Sequence, residues 1–547
     1  MKQSPAWLSK AVFYEIYPQS FYDTNGDGIG DVEGIIEKLD YIQSLGCNAL
    51  WINPWYDSPF LDAGYDVRDY RKIAPRYGTN DDAKRLFEVA HQNGIHVLID
   101  LVPGHTSEEH AWFRESQKAI QNPYTDRYIW TDFAFESGDG IPCVAGRSER
   151  SATYLLNFFE FQPALNYGFL HPQKPWQQPT SAPGPQATIE AIKDIMRFWL
   201  DMGCDGFRVD MAASLVKNDD AHKTGTQAIW KNIHETVMKD YPEAAMVSEW
   251  DEPRMSLKCG FQMDFYLNNG GNGYVPLLRD YWNDVFARVM GKGERKTYVN
   301  GMPFFGAVED QMEPRGKGDH SYFRKDIDSD ITRFTNDYIP KYEATKEDGL
   351  FCFITCNHDT PRPTWNLGVD ELKIAYAMLF TMPGAPYLYY GDEIGMRYLR
   401  VPNKEGGYYR TGSRTPMQWS KGKNLGFSSA DPKEIYLPVD PSNDAPTVEE
   451  EEKDPDSLLQ TVRKILAFRY SREELNSDAP FELVYAKAES PVLVYRRSKL
   501  LIAVNPKIKS ATVPVPSAGK VIFRFGETKN HETSLTMGPQ SFVVIEQ

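Results

Sequence analysis

Eight short runs rich in β-branched and aromatic residues lie between residues 11 and 393, and most are separated by stretches of helical periodicity. They are "AVFYEIYPQSF" (11–21), "NALWINP" (48–54), "IHVLIDLVP" (95–103), "GFRVD" (206–210), "AAMVSEW" (244–250), "GFQMDF" (260–265), "LFCFITCNHD" (350–359) and "APYLYYGDE" (385–393). Largely apolar strands that alternate with helices are buried on both faces and pair in parallel. Eight of them predict a closed (β/α)₈ (TIM) barrel. The intervening helices have recognisable ends. One pattern, at 32–45, stops at Gly46; another, "DDAKRLFEVAHQNG" (81–94), sets Leu86, Phe87, Val89 and Ala90 on one face and ends at Gly94.

Two regions break this rhythm. Residues 104–185 have few periodic segments and many Pro, Gly, Phe and Tyr, ending in "HPQKPWQQPTSAPGPQ", and read as a subdomain inserted after the third strand. Residues 392–455 form a second elaboration, whose acidic run "VEEEEKDPDS" is expected to face solvent and lead into the helix "LLQTVRKILAF". From about 478 the pattern changes to short alternating strands, "ELVYA", "VLVYRR", "LLIAVNP", "KVIFRF" and "SFVVIE". The expected division is a barrel of residues 1–103 and 186–477, an inserted subdomain of 104–185, and a C-terminal β-sandwich of 478–547.

The formal net charge of −16 disfavours nucleic acid and anionic membrane as partners. Six cysteines are scattered without a CxxC pair, which suits free thiols in a reducing compartment. The first 20 residues lack a secretory apolar run and no stretch reaches 18 apolar residues, so a soluble, cytoplasmic protein is expected.

In a barrel of this kind the working face lies at the C-terminal ends of the strands. Those ends carry Asp100 and His105 after the third strand, Arg208 and Asp210 on the fourth, Glu249 on the fifth, and His358 and Asp359 on the seventh. Three carboxylates beyond Asp100, without metal-type histidine spacing, suggest glycoside cleavage, in which one carboxylate attacks or stabilises the anomeric carbon and a second donates a proton. Arg208 and Asp210 are two apart on a strand and share a face, so the guanidinium is expected to keep Asp210 ionised. Glu249 is flanked by Trp250 and apolar residues, a setting able to raise a carboxyl pKa. A structural ion pair of Arg208 with Asp210 is the plainer alternative.

The loop "DTNGDGIGD" (23–31) poses a separate question. Asp23, Asn25 and Asp27 stand at EF-hand positions 1, 3 and 5, Gly28 at position 6, and the Ile29 carbonyl at 7, but position 12 is Gly34 instead of Glu. A strand-like segment precedes it where an EF-hand has a helix. The residues admit a cation loop or a plain Asx/Gly turn.

Taken together, "DLVPGH" (100–105), "GFRVD", "SEW" (248–250) and "NHD" (357–359) resemble the four signature regions of the α-amylase family, glycoside hydrolase family 13, in the right order. "QPALN" (162–166) resembles its fifth region, and "GYDVRDY" (64–70) and "SRTPMQW" (413–419) resemble the oligo-1,6-glucosidase, α-glucosidase and trehalose synthase subgroup. The resemblance implies a retaining mechanism with Asp210 as nucleophile, Glu249 as general acid/base and Asp359 as the third carboxylate. It implies a sugar subsite shaped by Tyr65, Asp100, His105, Arg208 and His358, closed behind the terminal glucose by Asp62 and Arg414. That closure makes an exo-acting enzyme on short α-glucosides. It also implies a structural Ca²⁺ in the 23–31 loop, held by Asp23, Asn25, Asp27, the Ile29 carbonyl and Asp31. The chain departs from the family pattern at Gly104, where Asn is usual, at Ala164, where Asp is usual, and at Met211 after the nucleophile. The expected function is hydrolysis of short α-1,4- or α-1,6-glucosides. The alternatives are a trehalose synthase or transglucosidase, and a non-catalytic amylase-like binding protein.

Overall fold

The computed structural model describes residues 4–267, 272–280, 298–299, 302–303, 315, 319–406, 410–516 and 519–547. Its centre is an eight-stranded parallel sheet: β1 (Phe13–Ile16), β2 (Ala49–Ile52), β3 (His96–Leu101), β4 (Gly206–Val209), β5 (Ala245–Ser248), β6 (Met263–Tyr266), β7 (Leu350–Phe353) and β8 (Tyr387–Tyr389). Neighbours follow chain order, β8 pairs with β1, and a parallel bridge from Ile354 to Tyr387 joins β7 to β8. The sheet therefore closes, as the eight sequence runs predict. Every strand is buried along its length apart from His96 at the start of β3, which is why these runs read as continuous apolar stretches. Trp51, Phe265 and Tyr387 fill the interior, with ring centroids 5.2 Å apart for the first pair and 4.8 Å for the second.

Helices cover the outside. Asn80–Gln92 starts in a capping box made by Thr79 and Asp82 and buries Leu86, Phe87 and Ala90. Its cap falls at Asn93, one residue before the expected Gly94. Pro183–Met202 is the longest helix among the described residues, burying Ile189, Ile192, Met196 and Trp199. The acidic run faces solvent as expected, with Glu449, Glu450 and Glu452 exposed, and Val448–Lys453 is itself a short helix. Thr447 caps it, and its first-turn Glu449, Glu450 and Glu451 suit the helix N-terminus.

Between β3 and Pro183 the chain has a short helix, Ala111–Ser116, and a hairpin of Cys143–Ala145 with Thr153–Leu155. It is laced to the barrel end by a His105–Ala164 bridge, by Leu165 N–H donating to the Gly104 carbonyl, and by a 2.7 Å bond between the Thr106 and Tyr128 hydroxyls. Beyond residue 480 a five-stranded antiparallel sheet and a three-stranded one enclose a second core that includes Val494, Leu501, Leu535 and Val543. The larger sheet is anchored to the barrel by Tyr495, 2.6 Å from the Thr381 hydroxyl, and by Arg497 donating to the Thr381 carbonyl. Within the 392–455 elaboration, residues 407–409 lie outside the described residues.

Candidate active site

The strand ladder runs past its last regular residues and fixes the rim. Asp210 N–H donates to Leu101 O and Glu249 N–H to Val209 O, so both carboxylates project from the C-terminal end of the barrel. Asp100 and Arg208 are register partners on β3 and β4. Arg208, fully buried over the Trp51 ring, is the hub. Its Nη1 donates to Asp100 at 2.8 Å and Asp210 at 2.9 Å, and its Nη2 pairs with Glu249 at 3.1 Å. Glu249 also accepts the Met211 N–H at 2.9 Å. Met211 itself is left-handed, φ +43°, which turns the chain sharply beneath both carboxyls.

One guanidinium therefore serves three carboxylates, so its hold on Asp210 is shared and opposed. Burial and the nearby Glu249 push Asp210 well above the usual carboxylate range, against the pull of Arg208. A site of this kind favours one ionised and one protonated carboxyl over two ionised ones.

Asp359 has the opposite environment. Only partly exposed, it is held well below the usual range by His358, at 3.1 Å, with Arg410 at 2.8 Å and Arg414 at 3.1 Å. His358 is buried, which disfavours its charge, but Asp359 and Glu15 outweigh this and raise it to about 9. As an imidazolium it donates from Nδ1 to Glu15 at 2.9 Å and from Nε2 to Asp359. The Tyr65 hydroxyl lies 2.7 Å from the same Nε2 and donates to Asp100 at 3.2 Å.

Asp62 and Arg414, expected to close the pocket behind the terminal glucose, do not bond each other. Asp62 bonds Arg410 at 2.6 Å and Gln162 at 2.7 Å, while Arg414 reaches Asp359 and the His358 carbonyl. Arg410 thus spans Asp62 and Asp359. Gly406, with φ +78°, passes so close that a Cβ there would lie 2.6 Å from Asp62 Oδ1 and 2.7 Å from Arg410 Nη2, so this backbone covers the pair.

His105 is held differently. Burial lowers it to about 3, so it is neutral. Its Nε2–H donates to the Tyr65 carbonyl at 3.1 Å, and its Nδ1 accepts from Asn157 at 3.1 Å. The Asn157 oxygen faces the Lys217 ammonium at 3.0 Å, which fixes the amide orientation. The glycine that replaces the usual Asn makes room for this arrangement, since a Cβ on Gly104 would lie 2.5 Å from Asn157 Nδ2. Gly104→Ala should lower kcat/KM about tenfold by displacing Asn157 from His105. In an Asn157→Gly background the same change should cost almost nothing further; equal losses in both backgrounds would remove Asn157 from the explanation. Ala164, the other departure, is fully buried and contributes its backbone to the His105 bridge.

Every expected sugar-site residue therefore gathers at one rim. Arg410, Gln162, Glu15, Asn157 and Lys217 were not assigned roles from sequence. A charged Glu15 inside an otherwise apolar strand was a readable signal; nothing in the spacing distinguishes Arg410 from Arg414.

The 23–31 loop lies apart from these carboxylates. Asp23 accepts N–H bonds from Gly26 and Gly28, each at 2.8 Å, and the Ser428 hydroxyl at 2.5 Å. Asn25 accepts Asp27 N–H, Asp27 accepts Ile29 N–H, and Asp31 caps the helix Val32–Glu37 through Gly34 N–H at 2.7 Å while also holding Thr24. The donors are the hard oxygens a Ca²⁺ takes; Asp23 Oδ1, Asp27 Oδ1 and Asp31 Oδ1 each accept one N–H and keep a lone pair, whereas Asp23 Oδ2 and Asp31 Oδ2 each already accept two hydrogen bonds. Among the described residues no three His, Cys, Asp or Glu side chains are grouped as a metal site, so amide and carbonyl oxygens would have to complete any shell.

Comparison with known proteins agrees with this picture. Residues 15–267 and 319–478 match the family model of the α-amylase catalytic domain. A trehalose synthase/amylase from Mycolicibacterium smegmatis is 31% identical over 518 residues, covering 88% of this chain and 80% of that protein. An oligo-1,6-glucosidase from Heyndrickxia coagulans is 31% identical over 573 residues, covering 91% and 92%. The fold of a trehalulose synthase from Pseudomonas mesoacidophila superposes with TM-score 0.77 at 24% identity, covering 99% of this chain and all of that one.

Proposed function

The chain belongs to the α-amylase family, and from that premise we propose that it is a retaining, exo-acting glycosidase that releases glucose from the non-reducing end of short α-glucosides. The observation that carries the reading is the Arg208 fork holding Asp210 and Glu249 on its two arms. A single guanidinium's span favours the close carboxyl spacing of retaining enzymes over the wider gap that admits a water in inverting ones.

In this account Asp210 attacks the anomeric carbon as Glu249 protonates the departing oxygen, giving a glucosyl ester. Glu249 then takes a proton from water, which displaces Asp210 and returns the α-anomer. Asp359, kept ionised by three cationic side chains, accepts hydrogen bonds from the sugar hydroxyls and attracts the positive charge that develops on the ring. Tyr65 stacks on the sugar. The Asp62–Arg410 pair under Gly406 ends the pocket behind the terminal glucose. Asp62→Ala should raise KM for isomaltose about 10–100-fold, the value of one or two charge-assisted hydrogen bonds. Arg410 keeps Asp359 as partner in that variant, so the fold should persist. An unchanged KM and product pattern would contradict a closed pocket.

A second reading, supported by the similarity to a trehalose synthase/amylase, is transfer of the glucosyl group to a sugar before water reaches it. Incubation with maltose, isomaltose, sucrose and trehalose separates the two. Glucose as the dominant product supports the hydrolase; a rearranged disaccharide accumulating ahead of glucose overturns it in favour of the isomerase.

For the 23–31 loop the proposal is a structural Ca²⁺ on Asp23, Asn25, Asp27, the Ile29 carbonyl and Asp31. Chelation should lower Tm by a few degrees, restored by added Ca²⁺, with activity at 25 °C nearly unaffected. Identical melting in chelator and in Ca²⁺ would make the loop a hydrogen-bonded turn alone.

A further inference from the structure

A cavity of about 400 Å³ opens on a different face, where the strand Asp69–Ile73 and the helices Ala111–Ser116 and Pro183–Met202 meet. Arg127 lines it and is 9% exposed. Its guanidinium lies 4.5 Å from the Trp112 ring centre and 5.7 Å from that of Tyr124. Neither Nε nor Nη1 has a hydrogen-bond partner, and Arg127 forms no ion pair among the described residues. The groups that raise its pKa against burial are tyrosine hydroxyls, with no carboxylate among them.

Its neighbours show how unusual this is. Arg150 stacks on Trp130 at the same 4.5 Å but donates to the Ser116 and Thr125 carbonyls. Arg68, on the wall of the same cavity, is paired with Asp57 and Glu109. The acids that reach the cavity are engaged elsewhere: Asp194 pairs with Arg197 at 3.0 Å, and Asp69 accepts the Arg71 N–H. His110 accepts the Trp112 N–H at Nδ1, so in its neutral form it carries its proton on Nε2 as a further donor. A buried cation without a counter-charge is costly unless a ligand supplies one.

We propose that this cavity is a second ligand site, distinct from the catalytic rim, in which Arg127 binds a phosphate oxyanion. A guanidinium fork matches phosphate geometry. The phosphate has two sources, free inorganic phosphate or the phosphate of a sugar phosphate, for which the flat Trp112 and Tyr124 faces would serve as walls.

The test is thermal melting and calorimetric titration at matched ionic strength with inorganic phosphate, glucose 6-phosphate, glucose and chloride, on the wild type and on Arg127→Met. Wild type should bind phosphate in the millimolar range or tighter and melt higher in it than in chloride, and Arg127→Met should lose both effects. In chloride the variant should melt at or above the wild-type temperature, because it removes an unpaired buried charge. Should that variant fail to fold, Arg127→Gln and direct titration of the wild type carry the test. Glucose 6-phosphate binding about tenfold or more tighter than phosphate identifies a sugar phosphate; equal affinity identifies free phosphate. No binding beyond that of chloride, or binding unchanged in the Arg127 variants, overturns the proposal.

Discussion

Asp210→Ala should lower kcat on glucosides by on the order of 10⁵-fold, the scale seen when a covalent nucleophile is removed from an otherwise intact site. The fold should survive. Arg208 keeps Asp100 and Glu249 as partners, and the lost carboxylate is one that Glu249, Asp100 and Asp359 all press upward. The variant's Tm should therefore match or exceed that of the wild type. Azide, small enough to fill the vacated space, should restore turnover and yield the β-glucosyl azide, since a single displacement inverts the centre. Activity within tenfold of the wild type, measured on protein freed of contaminating glucosidase, would remove Asp210 from the nucleophile role.

Glu249→Gln is the second large effect and has a different signature. Loss of a proton donor costs about 10²–10⁴-fold, but only where the leaving group needs the proton. Isomaltose, whose reducing-end glucose would have to depart as an alkoxide, should lose the full amount. 4-Nitrophenyl α-glucoside, whose phenolate leaves unaided, should form the glucosyl ester at a rate close to wild type and stall at its hydrolysis. Gln can still accept the Met211 N–H that Glu249 accepts at 2.9 Å, so the backbone turn at Met211 is preserved. Equal losses on both substrates, with no burst of nitrophenol, would show that Glu249 positions groups without transferring a proton.

Much of the barrel could be read from the chain because its strands are buried on both faces and leave long apolar runs. The eight runs correspond one to one with β1–β8. Rim carboxylates were legible for the same reason, since a charge ending an apolar strand stands out. The partnerships were less so. Arg208 on β4 is fixed by the alternation of the strand, but how many carboxylates share it depends on β3 and β5 lying alongside, and the upward push on Asp210 follows from its burial and from that crowding. Asp62 and Arg410 are 348 positions apart and meet only because loops from opposite ends of the chain fold over the rim. Asn157 reaches His105 through a gap that exists because residue 104 has no side chain, and an absent side chain leaves no positive mark in a sequence. The acidic run at 448–453 faces solvent as its charge implied, and the Thr447 cap was the signal for the short helix it forms.

The account rests on a double displacement at Asp210. The most direct test follows the first glucose released from isomaltose, or from whichever disaccharide is turned over fastest, by ¹H NMR before mutarotation sets in. The α-anomer appearing first, and relaxing slowly toward the equilibrium mixture, is the predicted result. The β-anomer appearing first would mean a single displacement by water, and would contradict both the nucleophile assigned to Asp210 and the dual role assigned to Glu249.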